Sequence, residues 1–154
     1  MTQEHKELLL KDLSSRLPYR VKAYVKNWSK LDRKYYEGVY TVESIHPSLN
    51  NILVCSERFS VEVLVGHYDY EIKPYLFPLE SMTEEQWDNA PRVNLTNFTF
   101  ESLKCGCFTL ASYTCENNLH DLLEFINWLY VNHFDVNGLI PMGLAEDATN
   151  LNVY

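Results

Sequence analysis

No run in this 154-residue chain approaches the roughly 18 consecutive apolar residues that a membrane-spanning helix needs. The first residues, Met1-Thr-Gln-Glu-His-Lys, hold no basic region followed by an apolar stretch. The expectation is a cytoplasmic protein that does not enter a membrane. Signature motifs are missing as well: there is no phosphate loop, no Gly-x-Gly-x-x-Gly, no nucleophile elbow and no His-Glu-x-x-His. Internal repeats, low-complexity tracts and linkers are also absent, so residues 1–154 read as a single globular domain. Cations are few, thirteen Lys and Arg against twenty-one Asp and Glu, for a formal net charge of −8. That deficit argues against indiscriminate binding to nucleic acid or anionic lipid. Cysteine is scarce, with four in the chain. A cytoplasmic protein of this size neither needs nor keeps disulfides, so Cys55, Cys105, Cys107 and Cys115 are read as reduced. Cys105, Cys107, Cys115 and His120 have the ligand chemistry of a zinc site, but Cys105-Gly-Cys107 is not a Cys-x-x-Cys knuckle. Small buried thiols on a strand are the preferred reading, and no cofactor is expected.

What is present is a core. Hydrophobic residues make up 46% and aromatics 14% of the chain, ample for a folded globule. The organising stretch runs from Asn118 to Ala148. Leu119, Leu122, Ile126, Leu129 and His133 recur at helical spacing, and Leu123, Phe125 and Tyr130 widen the apolar face until it calls for a sheet beneath it. Asn118 is the natural N-cap, and the helix is expected to stop before Asn137-Gly138. At the other end, Thr2 can cap a helix to about Ser15, with Leu9, Leu10, Leu13 and Leu17 as its stripe and Pro18 as its stop.

Between these helices the period changes to two. Tyr19, Val21, Ala23 and Val25 alternate with Arg20, Lys22, Tyr24, Lys26 and Trp28. Asn27 to Glu37 reads as a polar connection, Gly38 to Ile45 and Asn51 to Ser56 as strands, and Pro47, Ser48 and Asn50 as the turn between those two. Phe59, Val61, Val63 and Val65 alternate again before Gly66-His67 turns the chain into Tyr68, Tyr70 and Ile72. The expected fold is α+β: an antiparallel β-meander curling into a small SH3-like or partly open barrel, with an N-terminal helix and a long C-terminal amphipathic helix packed on it. Pro74 and Pro78 should end the run in an extended link covering the open end of the sheet. Ser81 or Thr83 then caps an acidic helix, Glu84 to Asn89. Asn94 to Phe100 and Cys107 to Tyr113 look like a further hairpin, with Glu101 to Gly106 between its arms.

Three stretches carry a likeness to other proteins: Leu9-Leu-Lys-Asp-Leu-Ser-Ser-Arg-Leu-Pro-Tyr-Arg-Val, Ile72-Lys-Pro-Tyr-Leu-Phe-Pro-Leu-Glu-Ser-Met-Thr-Glu-Glu, and Trp128 to Ala145. In them the chain resembles an uncharacterised family of small proteins from gut anaerobic bacteria and their phages or mobile elements. That family usually has arginine where Phe77 stands here, and Glu-Lys-Gly in place of Pro141-Met142-Gly143. The resemblance implies an origin in or against a mobile element, and no activity.

Chemistry-bearing pairs are few. His67-x-Asp69, His120-Asp121 and His133-x-Asp135 set an imidazole beside a carboxylate, the elements of a general base or a metal site. A small metal-dependent hydrolase built on His67, Asp69, His133 and Asp135 is therefore one reading. Each pair also has a local explanation, His133 as a cation suiting the end of a helix dipole. Trp87 could be presented to a partner, but a ring folded back onto the body is preferred. The least ordinary feature is the distribution of charge. Residues 1–34 hold nine Lys and Arg against four acids, net +5, whereas residues 35–154 hold four against seventeen, net −13. Arg20, Lys22, Tyr24, Lys26 and Trp28 share one strand face, and cations interleaved with rings suit a single-stranded nucleic acid or a phosphate-bearing ligand. The preferred explanation of this face is blander, that it folds against or sits beside the acidic remainder and balances it. A non-catalytic binding protein with a protein partner is the leading expectation, and nucleic acid is not the favoured partner.

Overall fold

The alternation of β-branched and polar residues implies a sheet, and a computed structural model describes its strands together with the flanking helices, over residues 1–29, 33–46, 50–56, 60–92, 99–104 and 119–154. The elements are α1 (Gln3–Arg16), β1 (Lys22–Ser29), β2 (Lys34–His46), β3 (Asn51–Cys55), β4 (Ser60–Leu64), β5 (Tyr70–Leu76), α2 (Glu84–Asn89), α3 (Phe100–Lys104), α4 (Leu119–Val131) and β6 (Glu146–Asp147). The fold is α+β. Its six-stranded sheet has the order β4-β3-β2-β1-β5-β6, antiparallel except for the pairing of β5 with β6. None of the described helices is long and apolar enough to cross a membrane.

The period-two reading of β1 holds from Val21 onward: Val21, Ala23 and Val25 are buried. Its start does not. Leu17–Tyr19 forms a 3-10 turn, and Arg20 follows it in the left-handed region at φ 54°. Arg20 therefore lies outside the strand. β2 begins at Lys34, so the Lys34–Glu37 part of the expected polar connection is strand paired with Lys26 to Ser29. The turn residues Pro47 and Ser48, and Phe59 before β4, lie outside the described residues.

Chain connectivity forces the sheet to curl. β4 and β5 sit four strand spacings apart in the sheet order, about 19 Å if it were flat. Their connection contains two successive turns, closed by His67 N–H to Leu64 O at 3.2 Å and Tyr70 N–H to His67 O at 3.1 Å. Each such turn spans less than about 7 Å, so the two together reach about 14 Å at most. The sheet must bend toward itself, and a register shift between Val42 and Ser44 on β2 assists the bend. Among the described residues no β4–β5 ladder joins its ends, so the curled sheet is not closed. The core fills the concave side with Val21, Ala23, Val25, Tyr40, Val42, Ile52, Val54, Val63, Val65 and Ile72.

α1 lies against that core. Thr2 caps it by accepting from the His5 N–H at 3.2 Å, and Leu9, Leu10 and Leu13 join the sheet's cluster. Gly66 turns the chain beneath it at φ 80°, the left-handed conformation that favours glycine, and a Cβ there would meet the flexible end of Lys6, 2.6 Å from Cε.

Pro74 does not end its strand. It lies opposite Ala23, between the Tyr24–Lys73 pair and the buried Tyr75 and Leu76. Trp28 N–H donates to Asp69 O at 2.9 Å, which fixes the alternation of hydrogen-bonded pairs so that the nitrogen of Pro74 points away from β1. The missing donor costs no ladder bond. Tyr75 and Leu76 pair with Glu146 and Asp147 instead of lying in an extended link.

A second cluster forms beside the sheet from Met82, Ala90, Leu103, Phe125, Leu129 and Phe134, with Trp87, Phe100 and Trp128 packed on it. α2 begins in a full capping box between Thr83 and Gln86, and Trp87 turns inward against Phe100 and Phe125. Phe100–Lys104 is helical rather than the end of a hairpin arm; Thr99 Oγ1 accepts from the Ser102 N–H and caps it. The rest of that arm from Asn94 to Phe98, the other arm Cys107 to Tyr113, and the cap Asn118 lie outside the described residues. α4 buries Leu122, Phe125 and Leu129 and leaves Leu119 and Leu123 exposed. Its apolar stripe is narrower than the sequence pattern implies, and it is seated in this second cluster.

Candidate functional site

The convex side of β2, β1 and β5 carries the residues that the charge pattern singles out. Register places Val39, Tyr24 and Lys73 in one row, Glu37, Lys26 and Glu71 in the next, and Tyr35, Trp28 and Asp69 beyond them. Lys22, Tyr24, Lys26 and Trp28 therefore do share a face, as the alternation predicts. Arg20 stands apart at the rim of a cleft of about 1000 Å³ that Lys22 also lines.

The surroundings of those cations were not visible in β1 itself. Tyr24 Oη donates to Glu37 at 2.8 Å, and burial followed by that bond pushes its pKa up to about 12. Lys73 bonds Glu146 at 2.8 Å and lies 3.2 Å from Glu71, contacts that raise its pKa against the effect of burial. The ammonium of Lys26 lies 4.8 Å from the centre of the Tyr35 ring, and Tyr35 meets Trp28 edge-on at 4.9 Å. Tyr35 and Val39 are 51% and 46% exposed. A basic strand thus becomes a mixed-charge face once β2, β5 and β6 take their places beside it.

The imidazole–carboxylate pairs stay local. Asp69 N–H donates to His67 Nδ1 at 3.3 Å, and the Asp69 carboxylate is 3.7 Å from the same nitrogen. His120 is exposed and pairs with Glu124 at 3.2 Å rather than with Asp121. Its proposed co-ligands Cys105, Cys107 and Cys115 lie outside the described residues. Asp135 accepts from the Leu139 and Ile140 N–H groups, each at 2.8 Å, and thereby shapes its own turn. Among the described residues no three His, Cys, Asp or Glu side chains converge as metal ligands.

His133 departs from its expected role. It occupies the left-handed position at φ 60° just beyond α4, where Phe134 N–H bonds Leu129 O and His133 N–H bonds Tyr130 O, the paired bonds of a Schellman C-cap. Burial, and then the neighbouring Arg16 charge, lowers its pKa from 6.5 to about 4. It is a neutral ring stacked on Tyr154 at 4.0 Å, not a cation serving the helix dipole. A group with a depressed basic pKa takes up its proton in the unfolded state first. Stability is therefore expected to fall as pH drops from 6.5 toward 4, through this site. His133→Asn, which keeps a residue tolerant of the left-handed region, should flatten that part of a melting-temperature profile. A wild-type profile with the same slope as the variant's between pH 6.5 and 5 would refute the assignment.

Sequence reasoning missed a buried polar cluster beside His133. Asp12 and Arg16 are both fully buried, and Arg16 Nε donates to Asp12 Oδ2 at 2.7 Å while Nη2 donates to Asp12 Oδ1 at 3.1 Å and Phe134 O at 2.7 Å. Asn137 Nδ2 donates to Asp12 at 2.8 Å and to Tyr130 Oη at 3.1 Å, and the Arg16 guanidinium lies 4.8 Å from the centre of the Tyr130 ring. This clamp joins the end of α1 to the turn after α4. Neither Asp12 nor Arg16 has any surface exposure.

Comparison with protein-family models, with curated proteins and with solved structures returns no match to this chain.

Proposed function

We propose that the protein acts by binding another protein through the convex face of β2, β1 and β5. The observation that carries this reading is the combination of exposed rings and alternating charge. Tyr35 is exposed beside Trp28 and Val39 beside Tyr24, with Lys22, Lys26 and Lys73 set among Glu37, Glu71 and Glu146. Tyrosine and tryptophan are enriched where proteins meet, and interleaved charge of both signs selects a complementary protein surface. A polyanion would instead meet one carboxylate for nearly every cation on this face. The separation of the His–Asp pairs supports binding over metal-dependent hydrolysis. An origin in or against a mobile element rests on the sequence resemblance alone and is part of the proposal.

The test pairs capture from native lysate, using the wild type and Tyr35→Glu/Val39→Glu in parallel, with an oligonucleotide titration of the wild type and Lys22→Glu/Lys26→Glu. A protein retained by the wild type and lost from the Tyr35→Glu/Val39→Glu variant, at equal melting temperature, is the expected result. Identical capture by both would refute the face. Oligonucleotide binding that weakens with salt and disappears in Lys22→Glu/Lys26→Glu would replace this reading with the nucleic-acid one.

A further inference from the structure

At one corner of the convex face, Lys26, Tyr35, Tyr68, Asp69, Tyr70 and Glu71 line a pocket of about 360 Å³. Two of its features suit a cation. Tyr35 and Tyr68 line it, and Tyr68 is 84% exposed and stacked on His67 at 4.4 Å, whereas Tyr70 packs against the sheet's core. Two carboxylates line it: Asp69 is only 8% exposed, and among the described residues the side chain in ion-pair range of its carboxylate is His67. That neighbour accepts the Asp69 N–H at the nitrogen facing the carboxylate.

The pocket also holds an internal cation. Lys26 extends its ammonium over the Tyr35 ring and forms no ion pair among the described residues. A tethered lysine thus shows where an ammonium group rests without itself pairing with Asp69 or Glu71. Glu71 lies 3.2 Å from Lys73, which leaves Asp69 as the carboxylate with no lysine or arginine beside it among the described residues. We infer that this pocket receives a lysine or arginine side chain of the bound protein, which displaces Lys26 from Tyr35, pairs with Asp69 and shares Glu71 with Lys73. The inference rests on the protein-binding reading of this face and deepens it by naming the group recognised. Ring faces attract ammonium and guanidinium groups, and a partly desolvated carboxylate strengthens the attraction.

The direction of the Lys26 effect separates this proposal from its rivals. If Lys26 occupies the site, removing it frees the ring and removes a like charge, so Lys26→Ala should bind a cation more tightly. Any polyanion site would respond in the opposite sense. The probe is Nα-acetyl-lysine methylamide, titrated into ¹⁵N-labelled protein while the amides of Trp28, Tyr35, Asp69 and Tyr70 are followed. Saturable shifts confined to those amides are expected, tightened in Lys26→Ala and weakened roughly threefold in Tyr35→Leu and in Glu71→Gln. Retained spectral dispersion shows that each variant is folded. No saturable shift by about 100 mM probe, weaker binding in Lys26→Ala, or equivalent shifts with inorganic phosphate would overturn the pocket assignment. The small probe needs no protein partner, so its failure would leave the binding face standing. Loss of face-dependent capture with an intact probe response would refute the face and leave the pocket.

Discussion

Asp12→Ala is expected to destabilise the protein by about 3–5 kcal/mol, the cost of leaving one member of a buried ion pair uncompensated. Arg16 would keep one acceptor, the Phe134 carbonyl, and its Nη1 already has no hydrogen-bond partner among the described residues. A charge with no surface exposure cannot recover its hydration by a side-chain rotation. Against a typical total of about 5–15 kcal/mol, that loss takes a large part of the folding free energy. The double variant Asp12→Ala/Arg16→Met should recover most of it, because the cost lies in the orphaned charge more than in the lost pair. Urea unfolding of the two variants and the wild type measures both terms. A loss under about 1 kcal/mol for Asp12→Ala would mean that the pair is hydrated and the clamp is not closed.

Val63→Asp should be comparably severe, while Glu62→Lys should stay within about 0.5 kcal/mol of the wild type. Val63 is fully buried opposite Ile52, whereas Glu62 is exposed opposite Leu53 and accepts one bond from Asn51 at 3.3 Å. A one-residue slip of β4 would exchange these roles. Equal thermal stability of the two variants would therefore refute the register.

β4 was legible because its valines alternate, and β-branched residues at period two have few other uses. The Thr83–Gln86 capping box was legible for a similar reason: its signal lies within four residues. Sequence reasoning failed where the deciding partner is remote. Lys34 to Glu37 carries no alternation, and becomes strand because β1 offers a ladder. Pro74 looked like a terminator because the direction its nitrogen faces depends on the pairing of Trp28 with Asp69. On β1 the cations and rings were visible, but Glu37 and Glu71 join them only through cross-strand register. Asp12 and Arg16 stand at the spacing that puts both on the face of Leu9 and Leu13, a signal that was available. Their other partners, the Phe134 carbonyl and Asn137, are more than a hundred residues away and could not be read from that spacing.

That separation bears on the time course of folding. A β1–β2 hairpin closes a short loop, whereas joining α1 to the Phe134–Asn137 turn closes one more than ten times longer, at an added entropic cost of about 2 kcal/mol. Contacts of such long range are expected to form after the meander has collapsed, past the rate-limiting barrier. The clamp would then set how long a folded molecule survives, with little influence on how quickly it forms, and the stability lost in Asp12→Ala should appear almost wholly as faster unfolding.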